Sequence, residues 1–109
     1  MERARMTPIE RLARNYRAAF LRYLPRRDEA ALTAGYELGR SAVTEGISML
    51  ELVRVHHEVF LEVLRDTADD ELTDVGTAAS QFFTEVLATF DMAQRRFLDG
   101  TRAAAPPGG

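Results

Sequence analysis

Four stretches of this chain repeat their apolar residues at a spacing of about 3.6, and none alternates polar and apolar in the manner of a strand. That pattern confines the chain to helices packed on helices. The third stretch, Ser48 to Leu64, organises the rest. Met49, Leu52, Val53, His56, Phe60, Val63 and Leu64 follow the i, i+3, i+4, i+7 rule, and Glu51, Arg54, Glu58, Glu62 and Arg65 take the other side. Ser48 and Glu51 form an S-x-x-E capping box, in which each side chain satisfies the other's backbone N–H. Gly46, just ahead, suits the left-handed end of a preceding helix.

The first helix is expected from Pro8 to Leu24, opened by a second capping box at Thr7 and Glu10 and ended by Pro25. Its stripe is Ile9, Leu12, Ala13, Tyr16, Ala19, Phe20, Tyr23 and Leu24. Asp28 caps a second helix, about Glu29 to Glu45, whose inner face holds Ala31, Leu32, Gly35, Leu38, Gly39, Ala42 and Val43. Ala31, Gly35 and Gly39 form a small-residue edge that another backbone can approach, within the chain or between subunits. A glycine weakens a helix by about 1 kcal/mol relative to alanine, so packing is the better reason for two of them. The fourth helix is expected from Glu71 or Leu72 to Leu98, with Gly100 as its stop. Leu72, Val75, Ala79, Phe82, Phe83, Val86, Leu87, Phe90, Ala93 and Phe97 form its stripe.

Short connections between four amphipathic helices predict an all-α fold, a compact four-helix bundle over residues 7–100. Residues 1–6 are expected to be a tail, and residues 101–109 a disordered tail or the start of a linker. A chain of 109 residues, 46% apolar, can bury enough surface to fold without staples. It has no cysteine and no apolar run that could span a membrane, so a cytoplasmic protein is the default. Net charge is −3, against nucleic acid as a main partner, yet residues 1–27 hold eight arginines against Glu2 and Glu10. The basic first helix is expected to pair with the acidic ones that follow, with docking of an acidic partner as the alternative.

Catalytic chemistry is hard to assemble from these residues. His56 and His57 are adjacent and diverge on a helix, so they cannot ligate one metal as an i, i+4 pair would. His56 points inward as a packing residue, and His57 is exposed. The acidic segment Asp66 to Asp74 lacks the D-x-D-x-D-G spacing of a calcium loop. There is no lysine, no phosphate-binding glycine loop and no nucleophile elbow, so no enzyme, metal, cofactor or small-molecule substrate is expected. A degenerate histidine phosphotransfer domain is the alternative. Against it, Glu58, Val59, Phe60 and Leu61 follow His57, where that family places lysine and a small residue.

The fourth helix has an outward strip, Thr77, Gln81, Thr84 and Ala88, that runs three turns without a charge between Glu85 and Asp91. Such a strip is cheap to desolvate and suits the centre of a protein interface. Thr33 and Glu37 on the second helix, with Gln81, Thr84, Glu85 and Ala88 on the fourth, are therefore the candidate partner-binding residues. Ala31, Gly35 and Gly39 are the candidate dimer contact.

The order of residues from Tyr16 to Leu98 resembles the N-terminal regulatory domain of RsbU-type serine phosphatases. Leu38, Gly39-Arg40, Ile47, Ser48, Glu51 and Val55-His56 carry the resemblance, as do Phe82-Phe83, Glu85-Val86, Phe90 and Met92-Ala93. Ser48-Met49 stands where the family often has proline after the isoleucine. The resemblance implies a dimeric helical domain that binds a switch kinase of the RsbT type and thereby controls a metal-dependent serine phosphatase in general stress signalling.

Overall fold

A computed structural model describes residues 6–103 of the chain, with side chains for residues 6–100. Four helices follow in order: α1 (Pro8–Arg26), α2 (Glu29–Thr44), α3 (Met49–Arg65) and α4 (Leu72–Ala103), with a short 3-10 turn at Asp69–Glu71 before α4. Both capping boxes form: Thr7 with Glu10 opens α1, and Ser48 with Glu51 opens α3. The Asp28 carboxylate accepts the Ala31 N–H and starts α2.

Two expected stops fail for the same reason. Pro25 lies inside α1, in its last turn, where its missing N–H forfeits one bond, and the helix closes two residues later. Arg27 takes the closing position at φ 55°, donating its backbone N–H to Tyr23 O and its Nε–H to Leu24 O. Gly100 likewise lies inside α4, since a single glycine among helix formers raises the cost by only about 1 kcal/mol. Of the expected tails, residues 1–5 and 104–109 lie outside the described residues, and the backbone of 101–103 continues α4.

The two most extensively packed helices are α2 and α4, and they run in the same direction, since Gly35 faces Phe82 and Gly39 faces Phe90. A Cβ placed on Gly35 would touch Phe82 and Val86, and one on Gly39 would meet Val86, Thr89 and Phe90. The small-residue edge therefore serves α4 of the same chain. Gly35 and Gly39 are covered by α4, and Ala31 is buried within the chain as well, which corrects their assignment as a dimer contact: a second copy cannot reach buried residues.

α1 crosses this pair and supplies Leu12, Tyr16, Phe20 and Tyr23 to the core. Phe82 sits at the junction, with no exposed surface and the rings of Tyr16, Phe20 and Tyr23 around it. The basic character of α1 is spent partly within the chain. Arg11 pairs with Glu45 at the end of α2, Arg17 with Glu62 on α3, and Arg27 with Asp74 on α4. These exposed pairs contribute at most about 1 kcal/mol each and chiefly set register.

α3 packs on α1 and α4 but is turned differently from expectation. Its buried line is Leu52, Val55 and Val59, while Val53 is 38% and Met49 47% exposed. α3 is apolar around most of its circumference, so periodicity alone does not choose the face. The ends of other stripes are exposed too, at Ile9, Leu72 and Phe97.

Candidate functional site

The outer strip of α4 is built from local hydrogen bonds. Thr77 and Thr84 donate their hydroxyls to the carbonyls of Thr73 and Ser80, one turn back. Their hydroxyls are already satisfied, so covering them with a partner leaves no donor stranded. Gln81 accepts from the Tyr23 hydroxyl at 3.4 Å, and Ala88 is exposed. Met92, one turn further and 52% exposed, extends the strip with an apolar side chain. Glu85 is half-buried at its edge.

The candidate residues do not all share one surface. Thr33 is exposed on α2 and bonds back to Glu29 O. Glu37, in contrast, lines a groove of about 540 Å³ between α1 and α2, together with Arg22 and Ser41. The opposite edge of α2, with Tyr36 and Arg40, borders a larger groove of about 740 Å³ whose other wall is α4 from Thr89 to Leu98. Arg40 lies over the Tyr36 ring, 5.9 Å from its centre, and Arg96 stands across the groove. Glu37 therefore faces away from the α4 strip, and Tyr36 and Arg40 are the α2 residues on its side. Helical spacing does not show which edge of α2 adjoins α4, so the sequence had no signal for this.

His56 occupies a different place. Its ring lies flat against Phe83, 3.9 Å between centres, and nearly parallel to Phe60, 5.8 Å between centres. The Tyr16 hydroxyl and His56 Nδ1 share a hydrogen bond at 2.7 Å. Burial, and secondarily the charge of His57, pushes its pKa down to about 4 from the usual 6.5. Burial pushes the Tyr16 phenol up. This is a packing histidine held neutral, and phosphotransfer gains nothing from it. His57 is exposed beside Val53 and Leu61 on the outer side of α3. Among the described residues no group of three or more His, Asp or Glu side chains could hold a metal ion. No helix among them is long and apolar enough to cross a membrane.

The depressed pKa has a measurable consequence. The unfolded chain takes up a proton at His56 near pH 6.5, whereas the folded chain resists until about pH 4. Stability is therefore expected to fall as pH drops through that window and to level off below it. Denaturant midpoints measured from pH 7 to pH 4 should show a steeper decline for the natural chain than for His56→Gln. Equal slopes would mean that the ring titrates normally.

Residues 14–93 match the family model described as "Phosphoserine phosphatase RsbU, N-terminal domain". The chain belongs to this family. No curated protein and no solved structure matches it. The match spans α1 from Arg14, all of α2 and α3, and α4 through Ala93, which holds the core described above apart from Leu12. It is the N-terminal regulatory domain of RsbU-like phosphatases and not their catalytic phosphatase domain.

Proposed function

We propose that this RsbU N-terminal domain is a non-catalytic docking module that binds a switch kinase of the RsbT type and thereby controls a serine phosphatase in general stress and sigma-factor signalling. It acts in the cytoplasm as a homodimer. The observation that carries the docking part is the α4 strip Thr77, Gln81, Thr84, Ala88 and Met92, exposed, uncharged and already satisfied in its hydroxyl bonds. Tyr36 and Arg40 on α2 complete the surface across the groove. Because α4 continues to Ala103, a partner seated on it grips the same rigid element that leads towards the C terminus.

Calorimetry with the cognate switch kinase at high micromolar concentration tests this, and no heat of binding there would remove the proposal. Thr84→Arg and Ala88→Arg are each expected to weaken the complex by roughly tenfold or more, with helicity unchanged, because a charge is driven into an interface centre. Glu37→Arg, on the other edge of α2, should change the affinity much less. Unchanged affinity in both α4 variants would take the strip out of consideration.

A further inference from the structure

The groove between α2 and α4, about 740 Å³, is of the size and character that small molecules occupy. Its apolar lining joins buried Ile47 and Phe90 to Met92 and Leu98, which are 52% and 56% exposed on the α4 side. Most of its polar side chains are already engaged. Thr44 donates its hydroxyl to Arg40 O and Thr89 donates to Glu85 O, while Ser48 Oγ accepts the Glu51 N–H. A ligand with a polar body would find few side-chain partners there.

Charge identifies the ligand class. The chain has 17 acidic against 14 basic side chains, yet among the described residues no Asp or Glu lines this groove, and Arg40 and Arg96 border it from α2 and α4. Neither arginine takes part in an ion pair among the described residues. Arg40 lies over the Tyr36 ring, a contact that leaves its positive charge unneutralised. Two neighbours show the contrast. Arg95 pairs with Asp91, and the groove between α1 and α2 holds Glu37 and Glu45, the latter bonded to Arg11. An apolar space bounded by two uncompensated guanidinium groups selects an anion with an apolar body, and the planar fork of arginine matches a carboxylate.

We propose that this groove binds an acyl-chain carboxylate of the fatty-acid type, its chain against Val43, Ile47, Phe90 and Met92 and its head held by Arg40 and Arg96. Tyr36 and Arg40 also belong to the proposed kinase surface, so ligand and kinase are expected to exclude one another. That consequence rests on the docking reading, and the site itself does not.

Calorimetric titration of the chain with dodecanoate, kept below its micelle-forming concentration and without kinase, should show saturable binding at a single site. Arg40→Gln and Arg96→Gln should each weaken it by roughly tenfold with helicity unchanged, because each removes a charged hydrogen bond. Arg95→Gln, one residue from Arg96 but outside the groove, should leave it unchanged. Dodecyltrimethylammonium, an equal chain with the opposite charge, should not bind. Absence of dodecanoate binding overturns the site. So does equal affinity for the cationic amphiphile, which would mean adsorption on any exposed apolar surface, and so does full affinity in both groove variants. A groove that refuses dodecanoate yet takes an acidic, leucine-rich peptide overturns it too, and gives the arginines to a protein partner. Adding kinase separates the two readings. A chain that binds dodecanoate but no kinase overturns the docking alone, and one that binds kinase but no dodecanoate overturns this site alone. Simultaneous binding overturns the exclusion and keeps the site.

Discussion

Phe82→Ala is expected to remove about 4 kcal/mol of stability, the largest loss of any single truncation in this domain. Phe82 has no exposed surface and stands where α1, α2 and α4 converge. Its ring centre lies 5.4 Å from that of Tyr16, edge to face, 5.6 Å from Phe20 and 5.4 Å from Tyr23. Aromatic neighbours turn about two side-chain bonds only, so they cannot flow into the vacated space, and the cavity term adds to the lost transfer free energy. A domain of this size holds roughly 5–15 kcal/mol in total, so a quarter to most of it would go. Urea unfolding should show the midpoint falling steeply with little change in slope. A loss below about 1 kcal/mol would mean that these rings are not the junction of the fold.

Gly39→Ala should be nearly as damaging, although it adds one methyl group to a helix and alanine is the better helix former. The new Cβ would stand 2.5 Å from the Val86 carbonyl oxygen and 2.8 Å from both the Phe90 nitrogen and the Thr89 Cβ. Two of those atoms are backbone, which no rotamer change can withdraw, so α2 and α4 must part along their length. Overpacking of this kind costs about 1–3 kcal/mol, and the rigid backbone places Gly39 at the upper end. Gly35→Ala is the control. Its Cβ would meet Phe82 Cε1 at 3.2 Å and Val86 Cγ2 at 3.3 Å, side-chain atoms that can yield by a few tenths of an ångström. The gain of about 1 kcal/mol in helix propensity offsets that strain, and the net change should be close to zero. Thermal melts of the two variants side by side decide the matter, and a neutral Gly39→Ala would refute the close approach. Because α2 and α4 are the two walls of the proposed docking surface, Gly39→Ala is also expected to weaken binding of the proposed kinase partner, whereas Gly35→Ala is not.

The candidate surface divides in the same way between what neighbouring residues reveal and what they hide. The uncharged strip on α4 was visible because its members repeat within one helix, and Thr84 and Ala88 are exposed as that spacing requires. Glu37 was misplaced because which edge of α2 faces α4 depends on how α1 crosses the pair, and no residue within α2 reports that. Tyr36 and Arg40 were missed for the same reason. The bond between Tyr16 and His56 joins residues forty positions apart, so an inward histidine was foreseeable and its partner was not.

Events that act within one or two turns could be worked out from residue order alone: four helices, their capping boxes at Thr7–Glu10 and Ser48–Glu51, the stripes of α1 and α4, and the membership in the RsbU N-terminal family that those ordered residues carry. Three things waited for the packed chain: the rotation of α3, the helix that fills the Ala31, Gly35 and Gly39 edge, and the passage of α1 and α4 beyond Pro25 and Gly100. Caps and periodicity are settled by hydrogen bonds and side chains a few residues apart. The face that is buried is settled by competition among surfaces for distant neighbours, and where a helix is apolar almost all round, as α3 is, only those neighbours can choose.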